Sequence, residues 1–185
     1  MYIKKMIGRK CYLSPMELSD AGTYAAWLND LEVSTFTQIA KQSLPVEKER
    51  EILSAISKEH NYGIVDAASG ELIGSCGLMD LDAVNRSAEI GIVIGDKAYW
   101  GRGYGEEALR LLLDYAYRYL NLYNVMLRVY SYNARGIACY EKVGFKAIGR
   151  RRGAVMRNLE AHDVVFMDIT ADDFYAAAPA PGGRG

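Results

Sequence analysis

Ala88-Glu89-Ile90-Gly91-Ile92-Val93-Ile94 and, six residues further on, Gly101-Arg102-Gly103-Tyr104-Gly105 decide how this chain folds. The first segment is a nearly continuous apolar run, the pattern of a strand covered on both faces in the middle of a sheet. The second opens a long helix: from Tyr104 to Leu120 apolar residues fall at 108, 111, 112, 115, 116 and 119, a helical stripe. A strand, a glycine-rich turn and a helix in that order make an anion site. Glycines take positive φ angles and let a ligand approach the backbone. A helix N-terminus offers N–H groups without intrahelical partners and a partial positive charge. Together these hold phosphate, and Arg102 can add a charge-assisted contact. A Rossmann turn would need Gly or Ala where Glu106 stands and a shorter approach from the strand. A P-loop would need Gly-Lys-Ser/Thr where the chain has Gly105-Glu106-Glu107. On spacing alone, a plain surface turn remains the alternative.

Working outward, Lys10 to Met16 reads as an opening strand. Ser19-Asp20 caps a helix to about Asn29, and Leu31 to Leu44 reads as irregular. Pro45 sits at a first helical position, and Val46 to Lys58 is amphipathic. Asn61 to Asp66, Glu71 to Asp80 and Ala88 to Ile94 read as strands joined by turns at Ser69-Gly70 and Asn85-Arg86. After the long helix come a strand (Val125 to Tyr130) and a short helix that Asn133 caps and Gly144 ends. Two last strands follow, about Ala147 to Met156 and Asp163 to Ile169, turning at Arg157-Asn158. The order predicts a mixed α/β domain: one twisted sheet with helices on both faces, within residues 8–170. Ala176 to Gly185, rich in Ala, Pro and Gly, reads as a disordered tail.

Bulk composition removes several classes of function. The chain has 185 residues, enough for about one domain, and 50% of them are hydrophobic. With 22 basic and 23 acidic residues, the net charge is −1. That balance offers no general attraction to nucleic acid or membrane, so an anionic ligand must be held locally. Cys11, Cys76 and Cys139 are too few and scattered for a disulfide framework or a zinc site. No apolar run is long enough to span a bilayer, and the basic N-terminus lacks the features of a secretory signal. The expectation is a cytoplasmic protein with no metal.

Two motifs carry a family resemblance. Trp100-Gly101-Arg102-Gly103-Tyr104-Gly105, with Asn133 and Tyr140-Glu141-Lys142-Val143-Gly144-Phe145 downstream, resembles the GNAT superfamily of N-acetyltransferases. Trp27-Leu28-Asn29-Asp30 with Glu32-Val33 is similar to the ribosomal-protein N-terminal (RimJ/RimL-type) subgroup. Arg86-Ser87-Ala88-Glu89 and Leu120-Asn121-Leu122-Tyr123 are similar to spermidine acetyltransferases. Trp100 departs from the Gln or Arg usual there.

The resemblance implies an acyl-CoA N-acyltransferase fold and acetyl transfer from acetyl-CoA to a primary amine, either a protein N-terminus, a small amine or a polyamine. It implies direct attack with no acyl-enzyme, and often a homodimer paired through late strands. The alternative is a non-catalytic acyl-CoA-binding module. On this resemblance the strand at 88–94 splays from the strand at 125–130. Ile92, Val93 and Ile94 then line the thioester, while Gly101, Arg102, Gly103, Tyr104, Gly105, Glu106 and Asn133 bind the cofactor. Trp27, Glu32 and Phe36 belong to the acceptor wall.

Tyr140 is the candidate general acid, because a phenol is protonated at neutral pH and can donate to a leaving thiolate. Otherwise it is a core tyrosine. Glu89 shares a strand face with Gly91 and Val93. It is the candidate base or charge partner for the amine, or else forms a salt bridge with Arg86 or Arg128. His162 is a weaker base candidate, and His60 reads as a helix-end charge. Asp30, Glu32, Glu47 and Glu49 are the carboxylates available for a cationic acceptor. Arg150-Arg151-Arg152 reads as a solvated strand end, with contact to a 3′-phosphate or an acidic substrate as the other reading.

Overall fold

The computed structural model describes residues 1–37 and 42–177. Among the described residues eight strands form one sheet: β1 (Met6–Ile7), β2 (Cys11–Pro15), β3 (Asn61–Asp66), β4 (Leu72–Asp82), β5 (Ser87–Ile94), β6 (Asn124–Tyr130), β7 (Lys146–Arg157) and β8 (Glu160–Thr170). Their order across the sheet is β1-β2-β3-β4-β5-β6-β8-β7. Every pairing is antiparallel except β5 with β6. Helices α1 (Ala21–Asn29), α2 (Leu31–Ser34) and α3 (Val46–Ile56) follow β2. Helix α4 (Tyr104–Tyr119) joins β5 to β6, α5 (Ala134–Val143) follows β6, and α6 (Ala171–Ala177) follows β8. The expected α/β architecture is therefore present. Helix α6 takes in Ala176, which was read as tail, and residues 178–185 lie outside the described residues.

Helices cover both faces of the sheet. Ile64 and Ile73 pack with Leu109, Leu112 and Leu113 of α4 in the main core. Leu72, next to Ile73 but pointing the other way, packs with Tyr24 and Ala21 of α1 and Leu53 of α3. Two i, i+4 rows of α4 are buried, Ala108, Leu112 and Ala116 beside Leu109, Leu113 and Tyr117. The stripe read from sequence was rotated toward Leu111, Tyr115 and Tyr119, and Tyr119 is 74% exposed. Tyrosine misleads such a count because its ring can lie on a flank with its hydroxyl in water. Tyr115 and Tyr119 stack there at 5.5 Å, whereas buried Tyr117 donates its hydroxyl to the Ile169 carbonyl at 2.9 Å.

Two local expectations also change. Asp20 makes no side-chain cap on α1 and instead accepts from the Tyr2 hydroxyl at 2.9 Å. Pro45 is the extended residue before α3, not its first helical residue.

The end of β5 is fixed from its neighbours. A Cβ on Gly74 would collide with the Val93 carbonyl oxygen of the adjacent strand, and a Cβ on Gly95 would lie inside the Trp27 indole. Gly95→Ala is therefore expected to destabilise the protein by about 1–3 kcal/mol. In contrast, Gly22→Ala in α1, where the added methyl meets nothing within 4 Å, should be neutral or stabilise by up to about 1 kcal/mol. Chemical denaturation of the two variants checks the pair.

Glu49 of α3 is buried, with one carboxylate oxygen lacking a partner among the described residues. Burial raises its carboxyl to about 7. The folded state thus holds a proton that the unfolded chain releases near its ordinary value, so this group's contribution is full at low pH and is lost as pH rises toward 7. Glu49→Gln should remove that slope and raise the melting temperature at pH 8, as followed by thermal denaturation across pH 4.5–8.

Candidate active site

Strands β5 and β6 pair only at Ser87–Asn124, Ala88–Val125 and Glu89–Met126. Beyond that point β6 stays paired with β8 as far as Tyr130, while β5 runs on to Ile94 paired with β4 alone. From Gly91 onward one edge of β5 has no strand partner among the described residues. Backbone N–H and C=O groups on that edge are open to a ligand.

Ile92 and Ile94 point toward the start of α4, where their side chains lie 3.8 and 3.9 Å from the place a Cβ on Gly105 would take. Gly101 and Gly103 both adopt positive φ, 71° and 83°, and Gly103 is the N-cap of α4. The first helical bond runs from the Glu107 amide to the Gly103 carbonyl at 3.2 Å. The amides of Tyr104, Gly105 and Glu106 therefore precede any intrahelical acceptor. Trp100 braces this turn against the strand: its indole N–H donates to the Ile94 carbonyl at 2.7 Å.

A cavity of about 300 Å³ lies against these groups, lined by Ile92, Val93, Ile94, Gly101, Gly103, Tyr104, Gly105 and Glu106, and by Asn133, Arg135, Cys139 and Tyr140 of the α5 region. The Asn133 side chain caps α5, accepting from the Gly136 amide at 2.9 Å, and Gly144 closes the helix at φ 116°. Arg135 lies 3.8 Å over the Trp100 ring. Burial pushes the Cys139 thiol up and the Tyr140 phenol up to about 12.

Of the expected cofactor contacts, Tyr104 and Glu106 line the first cavity and Arg102 does not. Arg102 does not line this cavity: its guanidinium lies over Tyr99 and Tyr104 at 5.4 and 5.7 Å. Tyr104 offers the cavity little beyond its backbone, because its hydroxyl is engaged with Asp66 at 2.7 Å in the interior. Glu106 does line the cavity, but it is paired with Arg110 at 3.2 Å. Lys10, unnoticed in the sequence, donates to the Arg102 carbonyl at 2.8 Å and brings a cation to the turn from 92 residues away.

A second cavity, about 700 Å³, opens on the other side of the parted strands. It meets the first at Phe36, Thr37, Ile92, Val93 and Tyr140, which line both. Phe36 is held by a loop whose ends Asn29 ties together, through bonds to the Leu44 carbonyl and amide at 2.8 and 3.0 Å. Tyr132 anchors the same loop by donating to the Thr35 carbonyl at 2.9 Å.

Trp27 and Glu32, expected beside Phe36, line neither cavity. Trp27 packs edge-on against Tyr24 and over Gly95, while Glu32 and Asp30 both pair with Lys97 at 2.9 and 2.8 Å. The resemblance extends the acceptor wall from Trp27 to Gln38, and Gln38 lies outside the described residues.

Glu89 lines the second cavity and pairs with Arg128 at 2.8 Å; of the two arginines weighed for it, Arg86 instead bonds Asn121. On that face the missing side chain of Gly91 leaves little space, because the Met79 methyl lies 3.1 Å from where a Cβ would stand. His162 lies edge-on to Tyr132 at 4.9 Å and His60 sits by Tyr115 at 6.1 Å, and neither lines the first or the second cavity. Among the described residues no group of three or more His, Cys, Asp or Glu is placed to hold a metal, and no helix is long and apolar enough to cross a membrane.

One cavity faces an anion turn and the other is reached past Tyr140, an arrangement that brings a phosphate-bearing donor and a separate acceptor to one point, as in a two-substrate transferase. Residues 10–146 match the model of the acetyltransferase (GNAT) domain, and the chain belongs to that family. An uncharacterized N-acetyltransferase, p20, of Bacillus licheniformis is 28% identical over 158 residues, covering 82% of this chain and 85% of that protein. Spermidine N(1)-acetyltransferase of Escherichia coli K12 is 32% identical over 113 residues, covering 61% and 60%. The solved structure of spermidine N-acetyltransferase from Vibrio cholerae, in complex with CoA and spermine, superposes with a TM-score of 0.80 at 23% identity, covering 90% of this chain and 98% of that one. The protein is an acetyl-CoA-dependent acetyltransferase acting on an amine, and the non-catalytic alternative is not favoured.

Asn133→Ala removes the cap of α5 and is expected to cost about 1 kcal/mol of stability. It should also weaken CoA binding, since the capped helix forms one wall of the first cavity. Denaturation and calorimetric titration with CoA measure the two effects.

Proposed function

We propose that the chain, working as one catalytic domain, transfers acetyl to a primary amine by direct attack at the junction of the two cavities, with Tyr140 as general acid. The observation that carries this reading is that Ile92, Val93 and Tyr140 line both cavities, so groups entering from opposite sides can meet there. Acetyl-CoA supplies an activated acyl group on a good leaving thiol.

The residues of the first cavity suit such a donor. The amides at the start of α4, with Lys10 and Arg135 nearby, fit a pyrophosphate-bearing arm. The unpaired edge of β5 at Ile92 to Ile94 can bind an extended amide-containing arm as another strand would, and one of its N–H groups can stabilise the oxyanion.

At the junction Tyr140 keeps its proton throughout the neutral range and donates it to the sulfur as the C–S bond breaks. Glu89, held by Arg128, faces the acceptor side and can take the amine proton through water. Direct attack is favoured over an acyl-enzyme because Cys139 remains a thiol, raised by burial, with no histidine beside it. A cytoplasmic location follows from the cytosolic supply of the donor. Strand β7, exposed along most of its length at the sheet edge, is a surface through which two copies can pair.

Tyr140→Phe should lower kcat about a hundredfold or more, with CoA affinity retained, in an assay of thiol release. Because the phenol titrates near 12, the loss should be similar at pH 6.5 and pH 9. An unchanged kcat would remove Tyr140 from the acid role.

A further inference from the structure

Any charge the acceptor carries besides its amine must be matched by the second cavity. Among the described residues lining it, the cations are Arg128 and Arg151 and the one carboxylate is Glu89. Glu89 already accepts from the Arg128 Nε at 2.8 Å, with its side chain only 13% exposed. Arg151 is left over. It lies on β7 beside a break in the β7–β8 register between Arg151 and Val155. Asp163 binds the Arg150 guanidinium at 3.3 Å and the Gly153 amide at 2.8 Å, securing both sides of Arg151 in the chain. Arg151 itself forms no ion pair with another described residue and is solvent-accessible at the cavity wall.

The carboxylates that a polycation would need are elsewhere. Asp30 and Glu32 are bound to Lys97, Glu49 is buried in the helical layer with its carboxyl raised, and none of the three lines the cavity. Glu47 does not line it either. The rest of the wall is largely apolar, including Met16, Leu28 and Phe166. A cavity with one neutralised carboxylate, one unpaired arginine and apolar walls repels a second ammonium and attracts an oxyanion.

We propose that the acceptor is an amine carrying a carboxylate close to it on an apolar body, with the carboxylate bound by Arg151. A free amino acid and the acidic N-terminal residue of a peptide share this chemistry. The proposal rests on acetyl transfer at the Tyr140 junction. It separates this chain from its spermidine-acetylating relatives, whose acceptor is cationic throughout.

The test measures CoA release with four kinds of amine: apolar amino acids, their carboxamides, short peptides beginning with Asp or Glu, and spermidine with spermine. Each carboxylate is expected to exceed its own amide in kcat/KM by about tenfold or more, as a charge-assisted contact does. Polyamines should be poor acceptors. The amino acid and peptide arms identify the source. Arg151→Gln should lower the acid-to-amide ratio about tenfold, with part of it restored by Arg151→Lys.

Preferred polyamines or amides, or a ratio unmoved by Arg151→Gln, would overturn the proposal while leaving acetyl transfer intact. A second measurement needs no turnover: the N-acetylated amino acid should raise the melting temperature of the CoA-saturated protein more than its amide does, and lose that advantage in Arg151→Gln. If this preference is present but no amine releases CoA, the transfer reading fails and with it the acceptor role, and Arg151 is left as a carboxylate-binding residue only. If it is absent, the acceptor assignment fails.

Discussion

Strands β5 and β6 part company after Glu89 and Met126, and the rest of the site is organised around that gap. A sheet interior ordinarily saturates every backbone donor and acceptor, and leaving several of them open near the middle is costly unless something else pairs with them. The fold tolerates the gap because the open strand is braced on its remaining sides. Gly74 lets β4 close tightly on Val93, Trp27 presses on Gly95, and the Trp100 indole holds the Ile94 carbonyl. Thus the segment that must present unpaired groups to a ligand is among the least free to rearrange. Preorganisation of this kind makes backbone dipoles useful in catalysis, since they need no reorientation as charge develops.

From the gap the other parts follow in sequence. The two strands diverge, so α4 and α5 can both bring their N-terminal ends to the same side, where the first cavity lies. Arg110 ties them: it pairs with Glu106 and donates to the carbonyls of Lys142 and Val143 at the far end of α5. That link explains why Glu106, an awkward neighbour for a phosphate, is tolerable at a helix start, since its charge is neutralised one turn on. Tyr140, one turn before the end of α5, then falls between the cavities rather than deep in either.

Much of the donor half could be read from the chain because its determinants are local. Two positive-φ glycines, a helix start and the capped Asn133 helix each occupy a few consecutive residues, and their conformations do not depend on distant partners. Side-chain roles within the same motif were less legible. Arg102 looked like a phosphate ligand by type, but Tyr99 and Tyr104 offer its guanidinium two ring faces. Lys10 reaches the turn from another strand, and no spacing rule announces a contact across 92 residues. Trp27 and Glu32 line neither cavity although Phe36 lines both, because Trp27 is packed against Gly95 and Glu32 is drawn to Lys97.

The acceptor half is assembled from strands β3 to β8, helices α1, α3 and α5 and the segment carrying Phe36, so no short motif contains it. Its character depends on which charges cancel, and that is decided by pairings between strands. Glu89 was legible as a carboxylate on the right face of β5, but its neutralisation by Arg128 comes from β6, and Arg151 comes from β7 at the edge of the sheet. A run of three arginines reads alike in sequence. The structure separates them, because Asp163 takes Arg150 while alternation along β7 turns Arg151 the other way. Relatives that share the donor motifs can therefore differ in acceptor through a few charges on separate strands, with no change in the turn that holds the phosphates.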